Sequence, residues 1–177
     1  MPNKISPPSP EEYAPFYGDY VQRATQRGDV YVALSSQIDE LHVALDSLTD
    51  TQARFKPGPA EWSIKEVIGH VGDVERVFSY RLLRISRNDA TPLSGFEQDD
   101  YVRAAGFDDY SLSDLIGEFE LLRRANMIAI QHMTEAAVNH CGTANGVTLS
   151  ARALIYMLVG HVDHHMASLQ EKYLPNT

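Results

Sequence analysis

Trp62-Ser63-Ile64-Lys65-Glu66-Val67 is a helix start signalled from both sides. Ser63 can cap the first turn while Glu66, three residues on, reaches back to it; Trp62 and Val67 stand at the two staple positions. Apolar residues then recur at Val67, Val71, Val74, Phe78, Leu82 and Ile85. That is the three-to-four spacing of an amphipathic helix, which runs to about Arg87. Upstream, Lys56-Pro57-Gly58-Pro59 stops any earlier helix. Before it, Leu34, Ile38, Leu41, Leu45 and Leu48 form the stripe of a first helix over residues 17–48. A bend or break is expected there at Arg27-Gly28-Asp29.

Downstream, residues 88–109 read as a long connection. Ser111 or Ser113 opens a third helix whose apolar face is Leu115, Phe119, Leu122, Met127, Ile130 and Met133. Residues 139–146 break the chain again, and Thr148 or Ser150 starts a fourth helix ending near Tyr173-Leu174-Pro175. No segment alternates convincingly with period two. The expected architecture is therefore all-α, a four-helix bundle with a long crossover between helices two and three. Residues 1–10, with four prolines, read as an extended arm, and 11–175 as a single bundle domain.

Composition narrows the function classes. At 177 residues the chain has length for one domain with a substantial core. A formal net charge of -9 argues against general nucleic-acid binding, which needs a basic footprint. No run is apolar enough to span a bilayer, and Met1-Pro2-Asn3-Lys4 lacks a signal-peptide core. The single cysteine, Cys141, can make no internal disulfide, so a reducing cytoplasm is the expected setting. The apolar bundle faces and the proline-rich arm would suit a homodimer.

The chemistry-bearing pattern is Gly160-His161-Val162-Asp163-His164-His165. Residues four apart project from one helix face, and histidine is the commonest metal ligand. On a wheel at about 100° per residue, His165 falls about 40° from His161, inside the apolar stripe, with His161 at its edge. His164 falls about 60° off on the other side and is the weaker candidate. On the second helix His70 shares a face with Val67, Val74 and Val77. Buried imidazoles need partners, and three on the interior faces of two helices point to a divalent metal held by His70, His161 and His165. Three neutral ligands leave one position open for chemistry. His42, His132 and His140 lack this arrangement and are expected at the surface or in loops.

Other residues carry weaker signals. Asp73, three residues after His70, is a candidate to orient a ligand or move protons; a solvated helix carboxylate is the plainer reading. Glu75 and Arg76 are expected to pair with the crossover or with Arg81. Trp62 is placed to line the mouth of the site. Tyr80 and Tyr156 have hydroxyls that could polarise a substrate, against a default of core aromatics with a wet tip. Cys141 has none of the surroundings of a nucleophile.

The run Glu61-Trp62-Ser63-Ile64-Lys65-Glu66-Val67-Ile68-Gly69-His70, then Glu75-Arg76-Val77-Phe78, then the terminal His-x-x-x-His resembles the DinB-like superfamily. The Thr91-Pro92-Leu93-Ser94-Gly95-Phe96 loop is similar to one of its branches, and the likeness extends from about Tyr13 to Leu174. The resemblance implies a four-helix bundle with a divalent metal held by one histidine of the second helix and two of the fourth, which map onto His70, His161 and His165. It implies zinc or nickel, and a small-molecule substrate attacked by an activated water or by a low-molecular-weight thiol cosubstrate. The competing expectation is a non-catalytic bundle whose metal, closed off by a fourth ligand such as Asp73, serves structure or stress sensing.

Overall fold

The computed structural model describes residues 4–176. The first helix is in two pieces, α1 over Gly18–Gln26 and α2 over Val30–Leu45, and the break falls at Gly28 as expected. Asp29 caps α2, its carboxylate accepting from the amides of Tyr31 and Val32. α3 spans Ile64–Ser86 and starts from the capping box. Ser63 Oγ accepts from the Glu66 amide at 3.0 Å, and the Glu66 carboxylate accepts from the Ser63 amide at 2.7 Å.

The crossover is more ordered than its sequence suggests. It contains α4, Gln98–Ala105, and a 3₁₀ turn at Phe107–Asp109, anchored because Val102 and Phe107 are buried against the bundle. α5 follows over Leu112–Gln131, capped by Ser111 rather than Ser113. A short α6, Glu135–Asn139, leads into a hairpin of β1, Cys141–Ala144, and β2, Val147–Ser150. This corrects the expectation of a strand-free chain. Asn145 and Gly146 form the turn with φ of 52° and 74°, the two positive values that a two-residue hairpin needs. Leu93 of the crossover pairs with this hairpin, donating to Thr143 O and accepting from the Asn145 amide, both at 2.9 Å. Ser150, not Thr148, caps α7, which spans Ala151–Ser168 and passes into a π turn at Leu169–Tyr173.

The bundle is made of α2, α3, α5 and α7. α2 packs on α5 and α7, and α3 packs on the same two, so α3 and α7 are neighbours while α2 and α3 face each other diagonally. α1 lies along α7 at Gly160. A Cβ there would sit 1.8 Å from the carbonyl oxygen of Tyr20, so only glycine permits the approach. Two apolar clusters fill the interior, one around Leu34, Phe78 and Leu158, the other around Ile38, Val71, Phe119 and Val162.

A polar layer lies between the two clusters. Arg123, fully buried, donates to both carboxylate oxygens of Glu75 at 2.9 Å, to Gln37 Oε1 at 2.7 Å and to Leu158 O at 3.0 Å. Gln37 continues the chain to Val159 O and Asp163, each at 2.8 Å. Every helix of the bundle contributes, so the layer sets the register of the helices as well as satisfying its own charges.

The arm crosses the start of α7. Ile5 is buried, its carbonyl accepts from Tyr156 Oη at 3.0 Å, and Glu12 receives Arg152 and Ser150. Met1–Asn3 of the expected arm lie outside the described residues.

Candidate metal centre

His70 comes from the middle of α3, between Val67 and Val74, where the helix faces α7. His161 and His165 come from successive turns of α7. Their donors converge. His161 Nε2 lies 3.2 Å from His70 Nε2 and 3.1 Å from His165 Nε2, and all three donors fall within 4.8 Å of one another. These are the three residues that sequence patterning selects.

The donor set fits a cation better than hydrogen bonding. A ring nitrogen carries one proton or one lone pair, so His161 Nε2 can make one good hydrogen bond and faces two nitrogens at contact distance. A tetrahedral ion with bonds of about 2.0–2.1 Å would hold its nitrogens about 3.3–3.4 Å apart, close to the separations observed. Among the described residues no Asp, Glu or Cys donor joins the group, so three protein ligands are supplied and no fourth.

Burial sets the charge state. It pushes the His70 imidazole down to about 4 and, with the neighbouring histidines, the His165 imidazole to about 3. His161 is held well below the ordinary imidazole value, first by burial and then by His165 and His70. All three are neutral at pH 7, the form that binds metals.

Aromatic rings pack around the imidazoles. Trp62 lies 4.8 Å from His70 between ring centres. Tyr20 of α1 meets His161 edge-on at 5.4 Å, and Phe78 lies 6.0 Å from it. The wheel puts His165 inside the apolar stripe and His161 at its edge, and the burial of the two α7 histidines runs the other way. His161, placed at the stripe's edge, is the buried one at 3% exposure, and His165 is only partly buried. The reason is α1, which covers α7 on the side that the wheel reads as a margin.

The other candidates go elsewhere. His164 turns to Asp19, 3.2 Å away, with its side chain 44% exposed. His42 meets Asp46 and Glu120, His140 meets Ser86 O, and His132 is exposed. Asp73 is partly buried, its carboxyl raised by burial; it sits 3.9 Å from Arg76 and does not join the three nitrogens. Glu75 and Arg76 do form ion pairs, but their partners are Arg123 and Glu118 on α5, not the crossover or Arg81. The Tyr156 hydroxyl is spent on Ile5 O, and the exposed Tyr80 receives Arg84. Cys141 is exposed on the hairpin.

A cavity of about 270 Å³ opens beside His161, walled by Tyr20 and Phe78 and closed by Phe96 of the crossover and Asn145 of the hairpin turn. Arg81 also lines it. Apart from His161, sequence patterning assigned none of these residues to the site; Tyr20 and Arg81 are the two that bear most on its chemistry. Tyr20 is legible only once α1 is known to lie over Gly160. Arg81 left a signal: eleven residues beyond His70 is about 20° around the helix, which puts it in the same interior stripe.

No curated protein matches the chain. Among solved structures, YfiT from Bacillus subtilis, described as a probable metal-dependent hydrolase with an unusual four-helix bundle topology, superposes with a TM-score of 0.76 at 14% identity over 94% of this chain and 92% of that one. A mycothiol-dependent maleylpyruvate isomerase superposes with a TM-score of 0.62 at 16% identity, over 85% of this chain and 61% of that one. At these identities the likeness is one of fold. The model of the DinB superfamily matches residues 33–169, from α2 through the His-x-x-x-His turn and so across every helix of the bundle; the chain belongs to the DinB superfamily.

Proposed function

We propose that the protein is a metal-dependent enzyme acting on a small molecule, with His70, His161 and His165 holding a divalent ion, zinc or nickel. The observation that carries this reading is the convergence of three neutral imidazole nitrogens, on two buried rings and one partly buried, with no fourth protein donor beside them among the described residues. An ion held there supplies a positive charge that lowers the pKa of a water or a small thiol at its open position. The reading is supported by the description of YfiT as a probable metal-dependent hydrolase and by the thiol dependence of the isomerase.

The chain's own residues do the rest. Tyr20, Trp62 and Phe78 exclude water from the imidazoles and hold their ring planes. The adjoining cavity admits only a small molecule. Asp73, whose carboxyl is raised by burial, is the α3 group assigned to carry a proton.

The test compares chelator-stripped protein, reloaded protein and His161→Ala on panels of ester, amide and thiol-acceptor substrates, with and without low-molecular-weight thiols. Turnover that disappears on stripping, returns with zinc or nickel and is absent in the variant is the expected result. Turnover indifferent to stripping, or stoichiometric metal with no turnover and a fourth protein ligand, would replace the enzyme with the structural reading.

A further inference from the structure

Three cationic side chains are buried among the described residues: Lys65, Arg81 and Arg123, at 1%, 3% and 0% exposure. A buried charge is costly unless it is paired. Lys65 meets Asp50 at 3.0 Å and Arg123 meets Glu75 at 2.9 Å. Arg81 has no such partner. Its one hydrogen bond runs from Nη2 to the backbone carbonyl of Ser94 at 3.0 Å, and no carboxylate among the described residues lies within ion-pair distance. Its neighbours along α3 differ, since Arg76 is paired with Glu118 and Arg84 with Asp89.

The guanidinium has five N–H donors in a planar fork. Among the described residues no buried side-chain nitrogen lacks a partner, so the Arg81 nitrogens that make no bond are reachable from outside the packed interior. Arg81 lines the 270 Å³ cavity that His161 also lines, and a second cavity of about 530 Å³ between α3 and the crossover, where His161 is absent. One wall of the smaller cavity thus offers a forked cation and another offers a ligand of the metal centre. We propose that Arg81 is the carboxylate anchor of this cavity, so that the small molecule processed at the centre carries a carboxylate at one end and its reacting group at the other.

The charge balance selects a carboxylate over a phosphate. Arg81 is the only cation among the lining residues, while Glu97 and Asp99 stand exposed at the rim. A singly charged group is neutralised by one guanidinium; a dianion would carry excess charge toward two carboxylates. The crossover explains how the cation is held without an acid, because Ser94 lies in the segment that Leu93 pins to the hairpin.

The inference rests on the metal reading for the reacting end and is independent of it for the anchored end. Two measurements separate them. Cobalt-loaded protein is titrated with mercaptocarboxylic acids of two to five carbons and with the matching mercaptoalcohols, following the sulfur-to-cobalt absorption. At least one acid is expected to bind about tenfold or more tightly than its alcohol, the size of a charge-assisted hydrogen-bonded contact. Arg81→Met removes that preference while cobalt stoichiometry is kept, and Arg81→Lys restores part of it. Equal binding of acids and alcohols by the wild type, or a preference that survives Arg81→Met, overturns the proposal with the metal reading intact. Failure to take up cobalt would instead defeat the metal reading. The same acids, added to metal-free protein, must then shift the Arg81 Nε–H resonance more than the alcohols do, or the anchor falls as well.

Discussion

His161 Nε2 faces two other imidazole nitrogens at 3.1 and 3.2 Å, and this crowding is stable only while all three rings are neutral or share a cation. The consequence for stability can be signed. Unfolded histidines take up protons below about pH 6.5, whereas the folded His70 and His165 resist until about 4 and about 3. The unfolded chain therefore binds more protons across that window, so the stabilisation is full above pH 6.5 and is lost as pH falls. Urea midpoints of the metal-free protein should drop between pH 7 and 4.5 more steeply than those of a variant with all three histidines replaced by glutamine. Parallel curves would contradict the burial described here. At this scale the convergence of the three histidines was legible, because i, i+4 spacing and an apolar face are properties of local sequence. Burial order was not, since it depends on α1 arriving from more than a hundred residues away.

At the scale of the element, two contacts decide how α3 and α7 are presented. The first is Gly160, where the backbone of Tyr20 occupies the space of a side chain. Gly160→Ala must push α1 outward at a cost of about 1–3 kcal/mol, and should lift the Tyr20 ring from His161. Denaturant unfolding measures the cost, and ring-current shifts of the His161 protons report the displacement; an alanine variant as stable as the parent would contradict the close approach. The second is the Arg123–Glu75 pair. Removing one partner, as in Glu75→Ala, leaves a buried charge and should cost about 3–5 kcal/mol. Replacing both with apolar residues of similar volume should recover most of that loss, and a double variant no better than the single would contradict the pairing. Helix starts were readable because caps are local: Ser63, Ser111 and Ser150 all stand where their side chains can bond the first turn. The hairpin was missed although Asn145-Gly146 is a strong turn signal, because its strands are four residues each and too short to show alternation.

In the whole molecule, the diagonal placement of α2 and α3 makes α3 and α7 neighbours, and it is residues 46–63 that span the diagonal, whereas the long crossover joins the packed neighbours α3 and α5. The crossover supplies Phe96 to the cavity wall and the Ser94 carbonyl to Arg81. Its local sequence is polar and turn-rich, and α4 forms there because Val102 and Phe107 find the bundle, a tertiary cause invisible to periodicity. A metal ion would tie α3 to α7 across the bundle and should raise the unfolding midpoint of the whole domain in proportion to the logarithm of free metal. Calorimetry with increasing zinc checks this, and a midpoint unmoved by zinc would mean that the two helices are not linked through a shared ion.

The account turns on three imidazole nitrogens meeting one cation that retains a free position. X-ray absorption spectroscopy of zinc-loaded protein measures this directly. One zinc per chain with three imidazole nitrogens at about 2.0–2.1 Å and one exchangeable light-atom ligand is the expected spectrum. Substoichiometric zinc, or a shell completed by a fourth protein donor, would contradict it.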